Sequence, residues 1–228
     1  MPKESGMKTL IKRSLAVWLV AAFVSVSAWA GDASAPQALV KQTADKVLKI
    51  LNDNPGKAKN DPQFLYGLVD KVILPVVDFN AMSKLILGVN WRSATPQQRS
   101  DFQTAFQTLL VRTYTRSLAE YSGKTIRYLP SRPSSNPRFA QVDTEILQGS
   151  GKPNLPVTYR LIKTRSGDWK VYDIVIDGLS LVTNYRSTYQ QKIATEGLEA
   201  LIKEIQALNK KAAQGNSGHS GGSATAQK

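Results

Sequence analysis

The hydrophobic period of this chain switches at Gly123, and that switch limits the possible folds more than any other feature. Before it, apolar residues recur at spacings of three, four and seven, as in amphipathic helices. After it, they alternate with polar residues, as in strands with one buried face. Pro36 to Leu51 predicts a helix on Leu39, Val40, Val47, Leu48 and Leu51, ended by the turn residues Asn52 to Gly56. A second helix opens at Pro62, carries Phe64, Leu65, Leu68, Val69, Val72 and Ile73, and is interrupted at Pro75, whose ring nitrogen cannot donate to the helix ladder. Asp78 caps a third, with Phe79, Met82, Leu85 and Ile86, that stops at Gly88. Thr95-Pro96-Gln97-Gln98 is a capping sequence. The helix it starts runs to about Tyr121 and sets Phe102, Phe106, Leu109, Leu110, Tyr114, Leu118 and Tyr121 on one side. Such an aromatic face needs a large partner surface.

Beyond Gly123, alternation predicts strands over Thr125 to Leu129, Phe139 to Leu147, Val157 to Ile162 and Trp169 to Ile176. Arg165 to Asp168 is a hairpin loop. Ser180 to Ala194 and Leu198 to Lys211 are closing helices, parted near Gly197. The fold class is α+β: a curved antiparallel sheet of about four strands, with a helical layer that encloses an apolar cavity.

The two ends read differently. Lys8, Lys12 and Arg13 precede a short apolar run from Leu15 to Val26, and Ala28-Trp29-Ala30 has the small-x-small cleavage pattern. Residues 1–30 are therefore expected to be a signal peptide, 31–213 the folded domain and 214–228 a disordered tail rich in glycine and serine. An exported chain with no cysteine after the cleavage site is expected to carry no lipid anchor and, in a double-membraned bacterium, to be soluble in the periplasm. The formal net charge is +13, and removing Lys3, Lys8, Lys12 and Arg13 against Glu4 leaves about +10. That balance favours anionic surfaces such as phospholipid headgroups or acidic protein patches. Export argues against nucleic acid.

Most site chemistries are missing. Without cysteine there are no disulfides, thiolate metal sites or cysteine nucleophiles. The single histidine, His219, lies in the tail, so a Ser-His-Asp triad or a histidine metal site is not expected. Gly149-Ser150-Gly151-Lys152 ends like a phosphate loop, but Pro153 follows and Ile146 stands at the leading glycine position, so it reads as a turn. Asp173 and Asp177 fall on one predicted strand, about 13 Å apart at strand rise, and read as exposed or turn residues rather than a glycosidase pair. No metal, cofactor or enzymatic role is expected. A lone carboxylate base in a cup-shaped isomerase or hydrolase, and an adaptor that binds protein through its aromatic helix face, are the alternatives.

Trp169 to Arg186 gathers apolar and aromatic residues around a glycine turn without a nucleophile–base pair. Behind an export signal, such a segment suits a carrier of an apolar ligand. The chain also resembles the MlaC family, the toluene-tolerance proteins that ferry phospholipids across the periplasm. The likeness spans about Ala38 to Lys210. One block is Asp78-Phe79, Met82, Leu87-Gly88, Trp91 and Thr95-Pro96-Gln97-Gln98-Arg99 followed by Phe102, Phe106, Leu109-Leu110 and Tyr114. The other is Val157-Thr158-Tyr159-Arg160-Leu161, then Gly167-Asp168-Trp169-Lys170-Val171-Tyr172-Asp173, Gly178-Leu179-Ser180-Leu181 and Asn184-Tyr185-Arg186. The resemblance implies a fold distantly like cystatin and NTF2, a phospholipid held as cargo, and two docking partners. These are an outer-membrane lipoprotein–porin complex and an inner-membrane ABC transporter with a substrate-binding ring. The chain is expected to be a monomer.

A soluble carrier answers a physical need. Two acyl chains hold about 30 methylenes, and at about 0.8 kcal/mol each their exposure to water costs roughly 24 kcal/mol. The cavity should therefore approach about 1,000 Å³. The expected wall takes Val72, Ile73, Phe79, Met82, Leu85, Phe106, Leu109, Leu110 and Tyr114 from the helices. Val157, Tyr159, Leu161, Trp169, Val171, Val175, Leu181, Val182 and Tyr185 come from the sheet and closing helix. Arg160, Arg165, Lys170 and Arg186 are candidates for headgroup binding or docking.

Overall fold

A computed structural model describes residues 31–130, 134–149 and 151–217. The expected signal peptide and His219 lie outside them. The described residues form α1 (Gly31–Asp53), α2 (Pro55–Asn60), α3 (Pro62–Leu68), α4 (Phe79–Leu87), α5 (Asn90–Ser93) and α6 (Pro96–Tyr114). Then come β1 (Thr125–Tyr128), β2 (Phe139–Leu147), β3 (Leu155–Lys163), β4 (Trp169–Ile176), β5 (Leu179–Ser180), α7 (Leu181–Glu196) and α8 (Leu198–Ser217). The five strands pair in sequence order as an antiparallel meander, so the α+β expectation holds with one strand more.

Caps decide the helix starts. The Asp78 carboxylate accepts from Ala81 N at 2.8 Å. Thr95 accepts from Gln98 N while Gln98 reaches back to Thr95 N, a complete capping box. Gly88 closes α4 at φ 55, where a side chain would be strained, and an added Cβ would lie 3.3 Å from Arg186 Nη2. The second helix departs from expectation. Past Leu68 the backbone widens to a π-helical turn over Val69–Ile73 and then tightens to a 3₁₀ turn over Leu74–Val76. Pro75 cannot donate to the carbonyl four residues back, so the helix changes pitch before it. The long sixth helix likewise tightens after Tyr114 into 3₁₀ geometry over Thr115–Tyr121. Asn52 to Gly56 is not a plain turn, since α2 begins at Pro55 and buries Ala58. α8 continues past Lys211 to Ser217, so the start of the expected disordered tail is helical.

β4 carries two irregularities that set the rest of the chain. A bulge shifts the register so that Arg160 faces Asp173 while Leu161 faces Val171. The strand ends at Ile176, and Asp177-Gly178, both at positive φ, make the two-residue turn into β5. β5 is only two residues long. The open part of the β4 edge is covered by Val77, which bridges to Val171, and Asp78 N donates to Val171 O at 2.8 Å.

Candidate functional site

Alternation along β2 buries Val142, Thr144 and Ile146. Val157 and Leu161 of β3 and Val171 of β4 are buried on the same inner face. α1 lies across this face and inserts Val40 beside Val142, Leu161 and Val171. Two turns later the same helix places Val47 and Leu51 in a separate cluster with Ala58, Leu65, Leu68 and Val72. A third cluster joins α4, α6, α7 and α8 through Phe79, Met82, Ile86, Phe102, Phe106, Leu110, Val182, Tyr189 and Leu201. Most domains have one contiguous core; the described residues build three.

The seam between the sheet cluster and the α1–α3 cluster is the candidate site. Half-buried Leu39, Tyr128, Tyr159, Trp169 and Ile174 pack against the sheet cluster. Half-buried Ile73, Leu118 and Tyr121 pack against the α1–α3 cluster. The tyrosines tie the two sides together. Burial pushes the Tyr159 hydroxyl up to about 12, Tyr121 adds to this, and a hydrogen bond with Thr144 opposes it. Burial, then Asp45 and Tyr159, push Tyr128 up to about 12. Tyr121 is raised by burial and by Glu120. Tyr159 keeps some accessible surface on the inner face of the sheet.

These shifts carry a pH consequence. A phenol whose folded pKa exceeds its unfolded value stays protonated in the fold after the unfolded chain has ionised, so alkali favours unfolding. Stability should be full below pH 10 and decline as pH rises towards 12. Circular dichroism across that range measures it, and Tyr159→Phe should flatten the decline. A curve unchanged by that substitution would contradict burial as the cause.

The expected wall residues divide among the three clusters. Ile73 packs against the α1–α3 cluster, which holds Val72, and Tyr159 and Trp169 pack against the sheet cluster, which holds Leu161 and Val171. Val157 is buried on the same sheet face. Phe79, Met82, Phe106, Leu110 and Val182 belong to the helical core, with Leu109 and Tyr185 packed against it. Two expected positions turn outwards: Leu85 and Tyr114 are each 39% exposed. Val175 stands opposite Ser180 and, with Leu181, is half-buried outside the three clusters. Helical spacing found most of the buried helix residues but not which cluster receives them.

The aromatic face of α6 is satisfied internally. Phe106 meets Tyr185 edge-on at 5.0 Å, and Phe102 meets Tyr189 edge-on at 6.0 Å. The adaptor alternative loses its exposed face, because Phe102 and Phe106 have no accessible surface. Asp173, expected to be exposed, is buried. Its carboxylate accepts from Arg160 Nη1 at 3.0 Å, Ser180 Oγ at 2.7 Å and Val182 N at 3.1 Å. Both oxygens are engaged, so it docks α7 onto β4 rather than standing open as a base. Arg160 is its ion-pair partner, Arg165 is exposed at the hairpin tip, and Arg186 abuts Gly88.

Two described clefts lie away from the seam. One, of about 460 Å³, is lined by Asn80, Lys84, Trp91, Pro96, Arg99 and neighbouring polar residues. The other, of about 430 Å³, runs between α4, α6 and the β3–β4 hairpin and includes Lys170 and Asp168. Neither has the size or the apolar lining expected of a lipid cavity. No described group of three or more His, Asp or Glu side chains could hold a metal ion. Sequence patterning missed Leu39, Leu118, Tyr121 and Tyr128 as seam residues; Leu118 and Tyr121 were visible as the end of the aromatic helix face.

Comparison with known proteins gives a consistent picture. The family model described as MlaC protein matches residues 41–207. The intermembrane phospholipid transport system binding protein MlaC of Haemophilus influenzae is 28% identical over 174 residues, 76% of this chain and 81% of that protein. The toluene tolerance protein ttg2D of Pseudomonas putida is 29% identical over 192 residues, 84% of this chain and 86% of that protein. A phospholipid-binding protein from Ralstonia solanacearum, solved in complex with a phospholipid, superposes with a TM-score of 0.70 at 31% identity. It covers 78% of this chain and 98% of its own.

Proposed function

This chain belongs to the MlaC family, and we propose that it binds phospholipid and carries it across the periplasm between the inner and outer membranes. The observation that carries this reading is the likeness to the Ralstonia phospholipid complex, which extends over almost the whole of that chain. The seam supports it. Its two walls are apolar and half-buried, and they belong to clusters joined mainly by α1, so acyl chains can lie between them without dismantling either core. In this reading Ile73, Tyr159, Trp169 and Leu118 face hydrocarbon, with Val72, Leu161 and Val171 behind them. Lipid is cargo, not a cofactor.

The finer parts of the reading follow the family. An outer-membrane lipoprotein–porin complex and an inner-membrane ABC transporter with a substrate-binding ring are the proposed partners. The described residues include no helix long and apolar enough to cross a membrane, in keeping with a carrier that moves between them. The net positive charge favours approach to anionic headgroups.

Protein purified from cells is expected to bring phospholipid with it, seen by mass spectrometry of an organic extract. Lipid that binds only the folded state raises its stability by mass action, so reloading delipidated protein should raise Tm. A preparation that contains no phospholipid, takes none up and melts at an unchanged temperature would refute the carrier reading.

A further inference from the structure

Tyr128 brings an unusual group to the seam. It stands on β1 opposite Thr144, on the sheet face that meets α1, and its ring packs against the sheet cluster. Its hydroxyl is buried and has no hydrogen-bond partner among the described residues. Native proteins rarely leave a buried polar atom so. Three other side chains share that condition, and none of them is on the sheet. Ser83 and Thr115 are enclosed within helical segments, and Asn209 already donates to Ala105 O at 2.9 Å.

The surroundings specify what the hydroxyl meets. Lys41 Nζ lies 5.5 Å from the Tyr128 ring centroid and pairs with Asp45 at 2.5 Å, with both side chains more than half exposed. That charged pair marks the solvent rim of the seam. Tyr159, on the interior side, is near enough to perturb Tyr128. Tyr128 therefore stands just below a charged rim and above an apolar interior. A glycerophospholipid threaded through the same levels puts its headgroup at the rim and its tails in the interior. Its two ester carbonyls fall between, as strong acceptors without a donor of their own.

We infer that the Tyr128 hydroxyl donates a hydrogen bond to an ester carbonyl oxygen of the bound glycerophospholipid and so sets how deep the lipid sits. This rests on the phospholipid-carrier reading. It has a feature that a purely structural role lacks: with no protein partner to lose, removing the hydroxyl should leave the lipid-free fold as stable or more so.

The test compares delipidated wild type with Tyr128→Phe. Each is titrated with a diacyl phosphatidylglycerol and with the dialkyl ether analogue of equal chain length, which keeps the headgroup and tails but has no carbonyl. Wild type is expected to prefer the diacyl lipid by roughly threefold to tenfold, the yield of one net hydrogen bond. Tyr128→Phe should lose that preference while its lipid-free Tm stays equal or rises. Equal wild-type affinity for both lipids, or a preference that survives Tyr128→Phe, overturns the inference while leaving the carrier reading intact. Wild type that binds neither lipid overturns the carrier reading itself.

Discussion

Asp173→Ala is expected to lower the unfolding free energy by about 3 kcal/mol, which for a domain of this size is a fall in Tm of about 6–12 °C. The carboxylate is almost wholly enclosed and accepts from Val182 N, Ser180 Oγ and Arg160 Nη1. Alanine leaves the Val182 amide and the Ser180 hydroxyl without their acceptor. It also removes a negative charge from the start of α7, where the helix dipole favours one. Ser180 caps that helix by accepting from Thr183 N at 3.0 Å, so the loss spreads into the first turn. Arg160→Ala should cost only about 1 kcal/mol, because the Arg160 side chain is 42% exposed and Asp173 keeps its other two donors. Thermal unfolding of the two variants decides this. If Arg160→Ala proves as damaging as Asp173→Ala, the energy resides in the ion pair and not in the docking of α7.

Ile73→Glu is expected to reduce retained phospholipid at least tenfold while the protein still folds. Ile73 is half-buried at the fringe of the α1–α3 cluster, in the π-helical turn. In the lipid-free protein a glutamate there can turn its carboxylate towards water, at a folding cost of about 1 kcal/mol. With hydrocarbon in the seam, the charge must stay among acyl chains or take up a proton, and either costs several kcal/mol. Only about 1.4 kcal/mol of that is needed for a tenfold loss. Acidification should restore retention as the new carboxyl becomes neutral, below its ordinary range of about 4.3 or somewhat above it if burial raises it. Leu85→Glu is the control, since Leu85 is exposed on α4, and it should keep normal lipid. Lipid lost from Leu85→Glu and kept by Ile73→Glu would put the hydrocarbon wall on the helical side of the molecule.

The parts of this protein legible in its sequence are those set by neighbours along the chain. The limits of β2 and β4, the Asp78 and Thr95 caps, the Gly88 stop and the turn at Gly178 depend on local φ/ψ preferences and on donors within four residues. Asp173 shows where that reading fails. Alternation assigned it to the same face as Asp177, but the bulge opposite Arg160 and Leu161 shifts the register, and β4 ends before Asp177. A bulge arises from the fit of one strand to another and from the helix behind it. It leaves little mark on period two.

Sequence alone determined the fold class, the export of the chain as an expectation, and the family, because period, capping chemistry and motif order all lie along the backbone. Tertiary structure decided which apolar residues share a cluster. It sent Phe106 and Leu110 into the helical core and Tyr159 and Ile73 to the seam, and it left the Tyr128 hydroxyl unpaired beside them. The reason is physical: apolar burial is non-directional. A hydrophobic side chain needs only to leave water, and nothing in its local pattern says which of three interiors will receive it.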